Sequence, residues 1–184
     1  MFCNKLKLSI ISATALFCTA VMADTGFKVP VHYNIELVDG VSDTASYSRF
    51  RRTVDLAPGR HQIVLLFKDT FKSGSDSRLV QSIDPVVIDI QDLKKDQLIT
   101  FQYNQPSTEE QALRYSHQQK ITLIDSTGKA LPSNEASYFV MTSDRGFSLM
   151  RDYKEELMSL GRLYAPMDVP NSERGVTMTA YGAP

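Results

Sequence analysis

The stretch Leu56-Ala-Pro-Gly-Arg-His-Gln-Ile-Val-Leu-Leu-Phe67 decides which fold this sequence predicts. Pro58 presets φ for the first corner of a turn, and Gly59 accepts the positive φ that often follows. In a strand, successive side chains point to opposite faces. One face of this run would carry His61, Ile63, Leu65 and Phe67, and the other would carry Gln62, Val64, Leu66 and Lys68. Both faces are apolar near the middle. We therefore predict the central strand of a sandwich, covered on both sides.

The segments around this strand are also predicted to be mostly β. Residues 48–56 are a second strand candidate, so the Pro58-Gly59 turn is predicted to join two antiparallel strands. Further strands are predicted over residues 29–38, 79–90, 98–103 and 120–131. Pro85 interrupts one of them, and because proline cannot donate to a ladder, it indicates a bulge or a sheet edge there. Residues 72–77, with Gly74 among short polar side chains, are predicted to form a flexible loop.

Two helices complete the predicted fold. The pattern Ser107-Thr-Glu-Glu110 fits a capping box and starts a helix over residues 108–118, with Ala112, Leu113 and Tyr115 inward. Apolar residues at three- and four-residue spacing predict a second helix over 145–165. The predicted class is α+β: an antiparallel β-sandwich or twisted sheet with two helices packed on it.

The composition of the N-terminal and C-terminal segments predicts how the chain is divided. Lys5 and Lys7, followed by the uncharged apolar residues 8–22, predict a signal peptide over residues 1–23 that is cleaved before Asp24. An uncleaved membrane anchor is disfavoured, because the apolar core is shorter than the roughly 20 residues that span a bilayer. Lipidation of Cys18 is disfavoured by the bulky residue before it. We predict a single β-rich domain over 24–166, a poorly ordered tail over 167–184, and a periplasmic location.

Composition narrows the classes of function. Both cysteines, Cys3 and Cys18, lie in the predicted signal peptide, so the mature chain has no thiol. A chain of this length can bury a sufficient core without disulfides. Loss of Lys5 and Lys7 leaves 18 Lys+Arg against 21 Asp+Glu, a net charge of −3. This weakly acidic balance argues against nucleic acid as a partner and against electrostatic attachment to anionic lipid.

No motif in the sequence predicts catalysis. His32, His61 and His117 lie in separate segments without a second ligand at metal spacing, although the first two could approach each other across a sheet. The segment Asp125-Ser-Thr-Gly128 has one residue too many for the Asp-Thr-Gly of aspartic proteases, and a hairpin turn explains it. There is neither a Gly-x-Ser-x-Gly elbow nor a phosphate loop. We predict a protein that is not an enzyme, with no catalytic, cofactor-binding or metal site.

A basic cluster and the aromatic content bear on binding. Arg49, Arg51 and Arg52 lie beside Phe50 and could bind an acidic partner, but the simpler interpretation is a strand whose arginine stems cover apolar surface. The chain has no tryptophan, which weakens a prediction of sugar binding on aromatic platforms.

Several motifs together resemble a known family. They are a strand ending in Val38-Asp-Gly40, the pattern Leu-x-Pro-Gly-x-His-Gln-Ile-Val from Leu56, and the segments Pro85-Val-Val-Ile-Asp-Ile90, Glu110-Gln-Ala-Leu-Arg-Tyr115 and Ile121-Thr-Leu-Ile-Asp-Ser-Thr-Gly128. In these the chain resembles the YccT family of small exported proteins of Gram-negative bacteria, over residues 29–131. The resemblance implies a non-catalytic periplasmic protein that inhibits assembly of curli-type fibres by binding their subunits. It implies no ligand residues.

Two kinds of function agree with these observations. An interaction protein would bind an extended exported protein, such as an amyloid fibre subunit, along an exposed strand edge, for which the Pro85 region is the predicted place. The alternative is a periplasmic or cell-envelope module that binds a glycan or small molecule in a cleft. Strand addition is favoured because it uses backbone groups and needs no special side chains.

Overall fold

The computed structural model describes residues 24–42, 46–73, 75–142 and 151–166. The predicted signal peptide and the predicted tail lie outside them. The strands are β1 Gly26–Lys28, β2 Tyr33–Val38, β3 Tyr47–Ser48, β4 Thr53–Asp55, β5 Gly59–Ser73, β6 Asp76–Gln81, β7 Val86–Leu93, β8 Leu98–Tyr103, β9 Ile121–Asp125 and β10 Ala136–Val140. The helices are α1 Glu109–His117 and α2 Tyr153–Ser159. The predicted α+β class, mainly β with two helices, is confirmed.

The strands form two sheets around a shared core. One sheet has the order β3-β4-β1-β8-β9, and the other has the order β10-β7-β5-β2, with β6 paired to β5 beyond it. The pairings are antiparallel except for β1 with β8. Phe27 and Ile99 of the first sheet pack in one cluster with Leu65 and Ile88 of the second. The two sheets therefore stack as a sandwich.

The central strand of this sandwich is β5, as the sequence predicts. Ile63, Leu65 and Phe67 belong to the core between the sheets and are fully buried. Val64, on the opposite face, lies in a second cluster with Leu37, Val87, Met141 and Leu157. The second cluster includes α2, so a sheet covers one face of β5 and a helix covers the other.

The Pro58-Gly59 turn joins two sheets and is not a hairpin. β4 pairs with β1 and β3, whereas β5 pairs with β2, β6 and β7. Gly59 has φ +132°, which agrees with the positive φ predicted for it. The predicted pairing across the turn is wrong, because a turn signal fixes the local chain path but not which strands become neighbours.

Pro85 lies between two strands and not at a sheet edge. β6 ends at Gln81, and β7 begins at Val86 between β10 and β5. The Pro85 carbonyl accepts a hydrogen bond from the Met141 N–H at 3.0 Å. The predicted edge at Pro85 is therefore wrong: the proline precedes the strand that it was expected to interrupt.

The predicted flexible loop at residues 72–77 is a tight hairpin. Ser73 pairs with Asp76, which places β5 and β6 side by side up to the turn, and Gly74 lies outside the described residues. The apolar pattern does not show this, because the side chains around the turn are polar.

Helix α1 begins one residue later than predicted. The Thr108 hydroxyl accepts from the Gln111 N–H at 3.3 Å, and the Gln111 side chain accepts from the Ser107 N–H at 2.9 Å. Ala112 is buried as predicted, but Leu113 is 47% exposed. The N-cap is therefore Thr108, one position along from the predicted Ser107, and the Gln111 side chain binds the N–H of the residue before the cap.

Helix α2 is shorter than the predicted helix over 145–165, of which residues 145–150 lie outside the described residues. The Asp152 carboxylate accepts from the Glu155 N–H at 3.0 Å and caps the helix start. Gly161, at φ +64°, follows the helix end. Arg151 binds Asp84 (2.9 Å) and Glu156 (2.5 Å) rather than pairing with Glu155, so it joins the helix start to the loop before β7.

A buried glutamine fastens the chain after α2 to the second sheet. The Gln62 side-chain amide donates to the Arg162 carbonyl and to the Asp89 carboxylate, both at 2.8 Å. Its oxygen accepts from the Tyr164 N–H at 3.1 Å. These contacts hold residues 162–164 against the second sheet.

Candidate functional site

Strand β6 is the exposed strand of a two-stranded ribbon that extends beyond the second sheet. The end of β5, residues 68–73, pairs with β6 and with no other strand that the structure describes. Asp76, Ser77, Arg78, Leu79 and Gln81 are all exposed, and Leu79 is 55% exposed. A strand of six residues is long enough to pair with an incoming extended segment.

The register of the ribbon shows which backbone groups of β6 are free to pair. Hydrogen-bonded and non-hydrogen-bonded pairs alternate along an antiparallel ladder. The Ser82 N–H donates to the Phe67 carbonyl at 2.9 Å, so in register Arg78 and Val80 of β6 exchange hydrogen bonds with β5. The backbone groups directed away from β5 are those of Ser77, Leu79 and Gln81.

The inner face of the ribbon is fixed to the rest of the molecule. Val80 is buried and Phe71 packs against the main core. Arg78 forms an ion pair with Glu109 of α1 at 3.2 Å. Because α1 packs against this face, the ribbon is held in place while its edge stays exposed.

The outer face of the ribbon is polar and basic. Lys68, Thr70 and Lys72 of β5 are exposed there, opposite Ser77, Leu79 and Gln81. Lysines beside an edge strand oppose unspecific edge-to-edge association and keep the strand soluble.

At the other side of the second sheet, the edge of β2 is occupied at both ends of the strand. The Arg52 guanidinium donates to three carbonyl oxygens, those of Val29 (3.2 Å), Pro30 (2.8 Å) and Tyr33 (2.6 Å). Val38 and Val41 exchange two backbone hydrogen bonds, and β2 has a register shift between Ile35 and Leu37. A bulge and occupied carbonyls both prevent strand addition.

The edges of the remaining outer strands are short or covered. The segment after the Asp125 turn covers β9, since the Leu131 N–H donates to the Leu123 carbonyl at 2.9 Å. β3 has two residues. At both ends of β10 the edge is occupied, because the Ala136 N–H donates to the Pro132 carbonyl and the Val140 carbonyl accepts from the Thr142 N–H, both at 3.1 Å. On the side of β5 away from β6, the Lys68 N–H donates to the His32 carbonyl and the Thr70 N–H to the Asp69 carboxylate, both at 2.7 Å. Among the described strands, β6 is therefore the long exposed edge. The sequence pattern did not indicate it, and the only available signal was Gly74 among short polar residues.

The three histidines do not form a common site. His32 pairs with Asp69 at 2.8 Å, and its other ring nitrogen lies 2.8 Å from the Gln105 amide nitrogen. His61 pairs with Asp39 at 2.7 Å, and His117 is exposed on α1. Within the described ranges, no group of three potential ligands is arranged to hold a metal ion.

The environment of His61 favours its charged form. Burial lowers the pKa of His61, but hydrogen bonds with Asp39 and with the Ala57 carbonyl outweigh it, so the pKa lies above its ordinary value. Both ring nitrogens have an acceptor at 2.7 Å, which suits an imidazolium with two N–H donors. His61 thus has a structural role: it joins the turn after β2 to the start of β5.

A group of tyrosines joins α1 to the sandwich. The hydroxyl groups of Tyr33 and Tyr115 are 2.7 Å apart, and Tyr33 donates to Gln119 at 3.1 Å. Burial raises the pKa of Tyr33 and of Tyr103 well above the usual range, and raises the pKa of Tyr115 to about 12. These hydroxyl groups stay protonated at neutral pH, so none is a phenolate nucleophile.

The arginine cluster is mostly engaged within the chain and lies in a turn rather than in a strand. Arg51 pairs with Asp24 (2.6 Å) and Asp55 (3.1 Å), and Arg52 is engaged with the carbonyls described above. Arg49 is exposed, and Phe50 is 98% exposed at the same turn. With Arg51 and Arg52 engaged, the exposed Arg49 and Phe50 do not form an extended basic surface.

The family is shown by a family model described as "Uncharacterized protein conserved in bacteria (DUF2057)", which matches residues 27–182. The chain belongs to the DUF2057 family. The match extends well past residue 131, so the C-terminal part of this DUF2057 protein is also part of the family pattern.

Curated relatives of this DUF2057 protein carry the name UPF0319 protein. Two of them, from Aliivibrio fischeri strains MJ11 and ATCC 700601 / ES114, are each 27% identical to it over 128 residues. The alignment covers 67% of this chain and 60% of each relative. No solved structure matches the chain. Among the residues that the structure describes, no helix has the length and apolar character needed to cross a membrane.

Proposed function

We propose that this DUF2057 protein is a non-catalytic accessory protein that binds an extended segment of another exported protein along β6. The observation that carries the proposal is the free edge of β6, where Ser77, Leu79 and Gln81 direct their backbone groups away from β5. An incoming strand would pair with these groups and extend the ribbon to three strands. The partner's side chains contribute little, so the proposed site accepts a class of extended segments rather than one sequence.

The occupied edges of the other outer strands suggest how binding along β6 would affect fibre growth. A fibre grows because each added strand offers a new edge to the next subunit. A subunit paired with β6 has a folded domain on that side, and the edges of β2 and β9 in this domain are occupied. Bound protein would therefore cap the subunit. The resemblance to the YccT family supports inhibition of curli-type fibre assembly as the specific form of this activity.

The proposed place of action is the periplasm, after export and cleavage before Asp24. The uncharged apolar residues 8–22 behind Lys5 and Lys7 support it. We expect the intact mass of the protein from a periplasmic fraction to correspond to a chain that starts at Asp24. A species that retains Met1, or one with lipid on Cys18, would contradict this location.

A fibre-assembly assay tests the proposed binding through one backbone group of β6, the N–H of Leu79. We expect the mature wild-type protein, at substoichiometric amounts, to delay assembly of a purified curli-type subunit followed by amyloid-dye fluorescence. Leu79→Pro removes the outward N–H and puts a ring on the edge, without removing a hydrogen bond to β5. We expect about tenfold more of this variant to be needed for the same delay.

Leu79→Val is the matched control, because it changes the side chain but keeps the outward N–H. It should delay assembly as the wild type does, and all three proteins should have the same circular dichroism spectrum. The proposal fails if the wild type causes no delay, or if folded Leu79→Pro delays assembly as well as Leu79→Val.

A second candidate function, the binding of a glycan or small molecule, is favoured by one observation. A groove with a volume of about 620 Å³ lies beside the end of β8. No residue that lines it belongs to β6, so the two activities would use separate surfaces.

A further inference from the structure

The groove beside β8 has the size of a ligand site. Its volume of about 620 Å³ lies inside the range of about 300–1,000 Å³ typical of such sites. It is lined by Pro30, Val31, Phe101, Gln102, Tyr103, Asn104, Gln105, Lys120, Ile121 and Thr122. These residues come from the end of β8, the start of β9 and the chain before β2, and the core fixes all three segments.

A second, smaller cavity makes the groove elongated. Its volume is about 230 Å³, and it shares Asn104 and Gln105 with the first. It continues toward α1, where Gln111, Arg114 and Tyr115 line it. The two cavities thus adjoin at residues 104 and 105, and this elongated arrangement suits a chain of linked units better than one compact molecule.

The polar lining consists of amides, three hydroxyls and two cations. The amides are those of Gln102, Asn104, Gln105 and Gln111, the hydroxyls are those of Tyr103, Tyr115 and Thr122, and the cations are Lys120 and Arg114. No carboxylate lines either cavity in the described part of this weakly acidic protein. An amide side chain both donates and accepts, as a sugar hydroxyl requires, and a cation binds a carboxylate.

Part of this lining is held in place by contacts behind it. The Gln105 amide nitrogen lies 2.8 Å from His32, which in turn pairs with Asp69. The Tyr103 hydroxyl donates to the Val31 carbonyl at 2.7 Å, which fixes the wall of the groove. Preorganised polar groups lose less freedom when a ligand binds.

We infer that this groove binds an acidic oligosaccharide, with Lys120 binding a sugar carboxylate and the amides of Gln102, Asn104 and Gln105 binding hydroxyl groups. Recognition through amides and a cation needs no tryptophan platform, so the lack of tryptophan does not oppose it. Arg114 is already paired with Glu110 at 2.5 Å, and for this reason Lys120 is the principal cation of the site.

The test uses trigalacturonic acid as the acidic probe and maltotriose as the neutral one, with acetate as a carboxylate without a sugar. We expect trigalacturonic acid to shift the side-chain amide signals of Gln102, Asn104 and Gln105 in nuclear magnetic resonance spectra, and to bind more tightly than the other two. Lys120→Gln should weaken its binding about tenfold, the value of one charge-assisted contact. Lys95→Gln, at an exposed lysine outside the lining, is the matched control and should leave binding unchanged.

Three results would overturn the inference. They are the absence of shifts at these amides with trigalacturonic acid, equal binding of maltotriose or acetate, and equal weakening by Lys120→Gln and Lys95→Gln. None of these results bears on fibre assembly, because no lining residue belongs to β6. The experiments can therefore distinguish a failure of the proposed sugar binding in the groove from a failure of the proposed strand pairing along β6.

Discussion

His61 and Asp39 hold the turn after β2 against the start of the central strand. Asp39 has φ +51° and accepts from both the His61 ring (2.7 Å) and the Gln62 N–H (2.8 Å). One carboxylate therefore fixes a turn residue in the left-handed region together with the register of β5. A histidine with two acceptors is a structural residue whose charge contributes to stability.

This contact makes the stability of the protein depend on pH. Because folding raises the pKa of His61, the stabilisation is fully present below the unfolded pKa of about 6.5 and is lost as pH rises through the folded value. We expect His61→Asn to lower the free energy of unfolding by about 1–3 kcal/mol near pH 5.5, and by less near pH 8.5. Urea denaturation at both pH values measures the difference.

His117→Asn is the control for this prediction, since His117 is exposed on α1. It should change the free energy of unfolding little at either pH. An effect of His61→Asn that is the same at both pH values would contradict the assigned role of the charge.

The sequence predicts elements better than it predicts how they pair. The strand character of residues 61–67 follows from a run of β-branched and large apolar residues that is too short for a helix, and the need for glycine at position 59 follows from the turn. The strands that pair with β5 cannot be predicted in this way. Its pairing with β2, β6 and β7 depends on the packing of the whole core. The predicted hairpin across Pro58 fails for this reason.

The candidate edge was missed for a different physical reason. The end of β5 carries Lys68, Asp69 and Thr70, and a ribbon with one polar face has no strong apolar pattern. Pro85 gave the more visible signal, but it precedes β7 instead of lying within it. Similarly, Thr108 rather than Ser107 caps α1, since two adjacent hydroxyl groups satisfy the same sequence rule.

At the scale of the whole molecule, the two sheets share a core, and some of their edge strands are occupied whereas β6 is exposed. Arg52 and the bulge close β2, and the chain after Asp125 closes β9. The β6 ribbon extends past the sheet, and α1 braces its inner face. A capping protein must bind a fibre subunit along one exposed strand edge and offer no edge to the next subunit. The occupied edges of β2 and β9 and the exposed edge of β6 agree with this requirement.

The central claim is that a partner segment pairs with the outward backbone groups of β6, and amide hydrogen exchange in this strand tests it most directly. In the free protein, the Ser77, Leu79 and Gln81 amides should exchange fast, whereas those of Arg78 and Val80 should be protected by β5. On addition of a curli-type subunit, we predict that exchange slows at the first three amides. Unchanged exchange at Ser77, Leu79 and Gln81 in a complex that forms, with new protection elsewhere, would contradict the account.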